Sequence, residues 1–482
     1  MKKANKYLGI ILAIAITGSC LTGCSGNKAA STAAVPSKGE KAKLTILIYA
    51  QEHEKAAYQK LIEKFKAANK DTVESVDLQV TTQDEYKVKM TAATTSNKLP
   101  DIFYVGPDTV RSYVDNKHVL ALDDLIAKNS KINISDIWPQ IIKAYQYDGT
   151  KTGQGKLYAL PKDLSTFAYA YNKDMFDKAG VAYPDPNKPY TWEEFAAVCQ
   201  KLTKDSNGKT ADQAEFDATK TKQWGAGFAD AFMFTPFVYG NGATFLNADY
   251  TKVTIAEQPK FKDALQYYVD LTLKYKVTPT VKQDAASGFY QRWLAGQLGF
   301  YACGTWDIAA FNDKKNLPFN WDLCGWPVGS SGKSITWNGS VGFAVSATSK
   351  YPTQALDLIS YLSVDKSGQE ELSGATTGKS MQLPNIMSYA KGDYKTLVES
   401  KKIPYANNID VIYNYIEGTD KYQGIFTETT YTYNSNWMDT FVKGMSNVKD
   451  GKVSVDDYIK QIQPKMQKEL DAAIKLQNSS KK

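Results

Sequence analysis

Histidine is nearly absent: the 482 residues hold only His53 and His118. A multi-histidine metal centre or a Ser-His-Asp triad would have to use one of these two, and neither stands beside a suggestive serine or cysteine motif. His53 lies between Glu52 and Glu54, where a metal site competes with a solvated acidic loop. Cysteine is scarce too. Beyond Cys20 and Cys24 there are only Cys199, Cys303 and Cys324, an odd number without C-x-x-C spacing, and these read as buried thiols. A bridge between Cys303 and Cys324 stays open, although nothing local points to it. Excess charge of one sign is also lacking. The 58 basic and 51 acidic residues are spread without a basic block, so neither nucleic acid nor an anionic membrane is indicated as a partner. Gly329-Ser330-Ser331-Gly332-Lys333-Ser334 has Pro327 where a phosphate loop needs its first glycine, and Ile335-Thr336-Trp337 does not open a helix, which excludes nucleotide binding there. No internal repeat stands out, and the apolar run Leu8 to Ile16 is too short to span a bilayer.

What is present begins with Lys2, Lys3 and Lys6, that apolar run, and Leu21-Thr22-Gly23-Cys24, which together read as a secretory signal over residues 1–23. Leu-x-Gly-Cys resembles the bacterial lipobox, and the resemblance implies a lipid on Cys24. Residues 24–42 hold almost no large apolar side chain and are expected to form a flexible tether. The folded part is expected from residue 43, and its length suits two or three domains or two large lobes.

Leu44, Ile46 and Ile48 alternate as a strand does, then Tyr58, Leu61, Ile62 and Phe65 fall at helical spacing, and Val76, Leu78 and Val80 return to period two. That pattern is a β-α-β unit. Ile102 to Val105, Leu157 to Leu160 and Phe167 to Tyr171 read as further extended segments of an α/β sheet domain. Thr191-Trp192-Glu193-Glu194 fits a capping box opening a helix with Phe195, Val198 and Leu202 on one face. Further helices are expected over Phe261 to Tyr275, Thr353 to Leu362 and from Ser454 onward, with a kink or break at Pro464.

Pro100-Asp101-Ile102, Leu160-Pro161, Tyr171-Asn172-Lys173-Asp174, Tyr190-Thr191-Trp192-Glu193-Glu194-Phe195 and Gly304-Thr305-Trp306 occur in an order that resembles the family 1 bacterial extracellular solute-binding proteins. The likeness runs on through Val341 to Ser346, the helix Thr353 to Leu362, and Gly451-x-x-Ser-x-Asp. It implies a two-lobed α/β fold of periplasmic-binding-protein type, with three hinge crossings and a ligand cleft between the lobes. One lobe would take 43–161 and about 325–362, the other 162–324 and about 363–482. It also implies a carbohydrate ligand, a receptor role with ABC permease subunits as partners at the membrane, a monomeric state, and neither cofactor nor catalytic residues. Open α/β sheets independently favour ligand sites beyond the carboxyl ends of their strands.

A pyranose needs flat aromatic faces and hydrogen-bonding groups at its rim, and the chain's 31 Tyr and 9 Trp supply candidates, although most aromatics in any globular protein fill cores. Gln51 and Glu52 follow the first strand, and Asp108 follows the strand Ile102 to Val105; its competing reading is a turn residue after Pro107. In maltose-binding relatives an aspartate near the Asp108 position contacts sugar. The resemblance sets Ser165 where those relatives carry a ligand-binding glutamate, a departure that argues against maltose; Asp163 is either its replacement or a surface charge at the hinge. Asp230 and Phe232 fall near a carboxylate and an aromatic of the relatives, against a bland reading as solvated and core residues. Trp306 and Trp437 match stacking tryptophans, with a core role open for Trp437. Tyr239, Asn241 and Trp337 lie near glycines in expected loops. Paired carboxylates leave a glycosidase as the main rival, and a same-fold receptor for a polyamine, peptide or metal complex as the second. The adjacent pair Tyr267-Tyr268 lies in an expected helix, where neighbours face different directions.

Overall fold

The alternation at Leu44, Ile46 and Ile48 becomes the strand Ala42–Tyr49, whose side chains are almost all covered because the strand sits inside a sheet with helices on its faces. In the computed structural model, residues 39–480 are described except 130, 229–230, 379–381 and 404. The signal, Cys24 and most of the tether lie outside the described residues. Ala42–Tyr49 pairs in parallel with Val73–Thr81 and with Ile102–Val105. The helix Glu52–Ala68 connects the first two, completing the expected β-α-β unit. Gly342–Val345 and Leu160–Pro161 then add antiparallel at the far side to give a five-stranded sheet.

A second sheet is centred on Ser165–Asn172, fully buried and flanked by Leu298–Gly304 on one edge. Trp321–Cys324 and Ser334–Gly339 share the other edge, and Thr221–Gly227 and Tyr422–Ile425 extend the sheet outward. The chain therefore folds as two α/β lobes. The first crossing is the short link between Pro161 and Ser165. The second is Ser340-Val341, later than the boundary near 325, because Asn338 and Gly339 pair with Thr166 and Ser165 in the second sheet. The third lies beyond residue 372 rather than at 363. Helix Lys366–Leu372 belongs with the first lobe, where buried Glu371 meets Lys60 at 2.8 Å and Lys64 at 3.4 Å on helix Glu52–Ala68. Asn385 ties this return to the first crossing, donating to the carbonyls of Pro161 (2.7 Å) and Lys162 (3.0 Å).

The Thr191 capping box forms as read, with Glu194 N–H donating to Thr191 Oγ1 at 3.2 Å and Thr191 N–H to Glu194 Oε2 at 2.8 Å. The expected helices appear as Pro259–Leu273 and Pro352–Ser363. Of the kink or break expected at Pro464, the break does not occur. The helix Val455–Ser480 runs through it without a break, since Ile459, Ile462, Met466 and Leu470 are buried and its packing against helix Asn436–Lys449 outweighs the lost backbone bond. The three cysteines are free and buried. Cys303 and Cys324 pair with opposite edges of Ser165–Asn172, which puts about two strand spacings, roughly 10 Å, between them, too far for a disulfide.

Trp437 is fully buried in the second lobe. Its ring lies 6.0 Å from Phe245, and its indole N–H donates to Thr432 Oγ1 at 3.0 Å. Trp437→Ala is therefore expected to cost about 3–5 kcal/mol of stability. Urea unfolding monitored by circular dichroism would check this, and a loss under 1 kcal/mol would contradict a core role.

Candidate functional site

The carboxyl ends of the first sheet deliver Tyr49, Thr81 and Val105 to one side of a cavity of about 1110 Å³. The second lobe supplies the facing wall from Ser165, Phe167, Trp306 and Trp337, and the crossings contribute Lys162, Asp163, Ser340 and Val341. Both lobes and two of the crossings thus meet in one cleft.

An aromatic corner dominates the second-lobe wall. Phe167 lies 5.0 Å from Trp306 and 5.3 Å from Trp337, and the two indoles are 6.3 Å apart at 82°. Each indole rests on a glycine. A Cβ at Gly304 would lie 2.3 Å from Trp306, and one at Gly339 would lie 1.7 Å from Trp337, so any larger residue would push the rings out of place. Trp306 remains 38% exposed and lines the open cleft. On the first-lobe wall Tyr49 packs edge-on against Tyr86 (5.3 Å) and Tyr104 (5.2 Å).

Carboxyls line both sides. Asp108 folds back toward Gly106, where a Cβ would lie 2.4 Å from its Oδ1, and burial raises this carboxyl above its ordinary value. Asp307 directly follows Trp306. Its Oδ2 accepts the Gly304 N–H at 3.1 Å, and burial pushes the carboxyl up to about 7. At the floor, Lys162 meets Glu54 at 2.9 Å and Asp163 at 3.0 Å. Burial alone would lower this ammonium, but Asp163 and Glu54 outweigh it and hold the group well above its ordinary value. Asp163 also accepts the Val341 N–H at 3.3 Å, so one carboxylate braces two crossings.

Among the residues singled out in the sequence, Gln51, Asp108, Asp163, Ser165, Trp306 and Trp337 line this cleft. Glu52 does not; it is an exposed first-turn residue 3.8 Å from Lys55. Tyr239 is buried with its hydroxyl donating to Glu428, and it lines a different cavity. Asn241 is consumed by structure, its amide donating to the Lys260 carbonyl and its oxygen accepting the Ser330 N–H. Trp437 is in the core. Asp230 lies outside the described residues, as does the side chain of Phe232; the next residue, Met233, lines the cleft. Sequence reading missed Tyr49, Glu54, Lys162 and Asp307. Tyr49 ends the first strand and Asp307 adjoins Trp306, so strand-end position and adjacency signal them; nothing local signals that Glu54 reaches Lys162 across 108 positions.

Residues 49–369 match the family described as bacterial extracellular solute-binding protein. A probable ABC transporter-binding protein of Deinococcus radiodurans is 27% identical over 286 residues, covering 52% of this chain and 62% of that protein. The melibiose/raffinose/stachyose-binding protein of Bacillus subtilis is 23% identical over 250 residues, covering 51% of this chain and 50% of its own length. The matched segments thus span about half to three fifths of these curated relatives. Among solved structures, an ABC substrate-binding protein of Listeria monocytogenes in complex with cycloalternan superposes with a TM-score of 0.74 at 21% identity, covering 90% of this chain and all of that one. With the family match spanning most of the chain and the same two-lobed fold recurring in the solved relatives, this chain belongs to the bacterial extracellular solute-binding protein family.

Proposed function

We propose that this protein is the substrate-binding component of an ABC importer, capturing a carbohydrate of more than one ring between its lobes and passing it intact to a membrane permease. The observation that carries the reading is the aromatic corner of Phe167, Trp306 and Trp337 set across one cleft from Asp108. Indole faces suit the apolar faces of a pyranose, and carboxylates accept its hydroxyls. A volume of about 1110 Å³ exceeds the range of about 300–1,000 Å³ common for small-molecule pockets, which suits an oligosaccharide. The names of the Bacillus and Listeria relatives agree with that class. In this reading the chain acts as a monomer held to the outer face of the cell membrane by a lipid on Cys24. A ligand that touches groups of both lobes shifts the population toward closed forms, because those groups meet only on closure.

Isothermal titration of the chain lacking residues 1–24 against mono- and oligosaccharides, with product analysis, tests the proposal. Saturable binding with the sugar recovered intact is expected; cleavage would turn the assignment to a glycosidase. Trp306→Ala should weaken binding by about 1 kcal/mol or more while leaving the unfolding midpoint unchanged. Unaltered affinity would remove Trp306 from the site. The ionised Asp307 is the better acceptor for sugar hydroxyls, so affinity should rise from pH 6 to pH 8 as the carboxyl titrates near 7. Asp307→Asn should flatten that profile; a slope kept in the variant would assign it to another group.

A further inference from the structure

A second cavity, of about 790 Å³, also has walls from both lobes and shares no lining residue with the cleft. The first lobe contributes Gln140, Lys143 and Thr152, and the second contributes Tyr250, Glu428 and Tyr431. Arg111 stands between the two spaces. Its chain neighbour Ser112 lines the cleft, while its guanidinium donates to the carbonyl of Tyr431 in the second cavity and to that of Thr150 at 3.0 Å.

The chemistry of this lining is that of a carbohydrate site. Tyr250 and Tyr431 are half-buried and stack with centroids 4.9 Å apart at 13°, presenting a flat aromatic platform. Glu428 is buried and fixed by the Phe245 N–H at 2.9 Å and by the Tyr239 hydroxyl, yet each oxygen of its carboxyl keeps a further lone pair. Directly behind the wall lies Asn338, 1% exposed, with neither amide atom hydrogen-bonded to a described residue. A Cβ at Gly424, a wall residue, would lie 2.3 Å from its Oδ1. Asn338 itself does not line the cavity; it packs behind Gly424 and shapes the wall without facing the guest. The charged side chains that line the cavity, Lys143 and Glu428, are of opposite sign, which suits a guest without net charge.

We propose that this cavity is a second saccharide site, taking a neutral sugar ring against the Tyr250–Tyr431 pair with its hydroxyls on Glu428. It goes beyond the cleft reading and can stand or fall apart from it. The test uses a Trp306→Ala/Trp337→Ala variant, in which the cleft is crippled, titrated calorimetrically with millimolar glucose, maltotriose and raffinose. Residual saturable binding of at least one sugar, one per chain, is expected, and adding Tyr431→Ala should weaken it about tenfold, or about 1.4 kcal/mol. Tyr250→Ala provides the same reading should the Tyr431 variant fold poorly, and Tyr431→Ala alone should leave the cleft's own affinity unchanged. Silence of the double variant toward all three sugars would overturn the second site, as would residual binding indifferent to Tyr431 and Tyr250. Full binding that survives both tryptophan changes yet is lost with Tyr431→Ala would support this site and count against the cleft.

Discussion

Everything in this molecule that matters for capture hangs on the buried charge cluster at the first crossing, where Lys162 lies between Glu54 and Asp163 with all three side chains nearly out of water. Glu54 belongs to the helix that follows the first strand, and it also closes that helix's N-terminus by accepting the Gln51 N–H at 3.0 Å. Asp163 reaches the second crossing through Val341, and the Lys162 carbonyl accepts from Gln382 and Asn385 on the way to the third. One ion cluster therefore joins a helix of the first lobe to the strands that lead into the second. Removing Lys162 would leave two buried carboxylates without their cation, and breaking a buried pair in this way costs about 3–5 kcal/mol. The same atoms form the floor of the cleft, so the hinge and the site share their foundations.

Above that floor the two walls differ in kind. The first-lobe wall is made of strand ends and the loops after them, which carry Tyr49, Gln51 and Asp108. The second-lobe wall is an aromatic corner whose geometry depends on two glycines, since a side chain at Gly304 or Gly339 would collide with the indole of Trp306 or Trp337. Ser165 stands in the cleft beside Phe167 with no carboxylate of its own, and Asp163 is already engaged with Lys162. Among the described residues, the cleft-lining carboxyls without an ion-pair partner are Asp108 and Asp307, both raised by burial, in keeping with the proposed ligand rich in hydroxyls and poor in charge.

Much of the fold was legible in the residues. Alternation at Leu44, Ile46 and Ile48, the Thr191 capping box and the apolar faces of the helices at Phe261 and Thr353 all mark elements that form, because each pattern is local. Boundaries between lobes were less legible. The segment 325–339 stays in the second lobe through pairing of Asn338 with Thr166, a contact spanning more than 170 positions that no local pattern encodes. The site divides along the same line. Trp306 and Asp108 announce themselves through their motif and strand-end position, whereas Trp337 depends on where its strand docks. Trp437, Asn241 and Tyr239 carry the same residue chemistry but are spent on the core, a turn and the Glu428 carboxyl. Burial decides between these fates, and burial is a property of the assembled lobes.

The central claim is that two lobes close on a saccharide about the crossings at Lys162 and Val341. Small-angle X-ray scattering of the chain lacking residues 1–24, without sugar and at saturation with the tightest-binding oligosaccharide, tests it most directly. The account predicts a smaller radius of gyration in the saturated sample; a radius unchanged at full occupancy would contradict it.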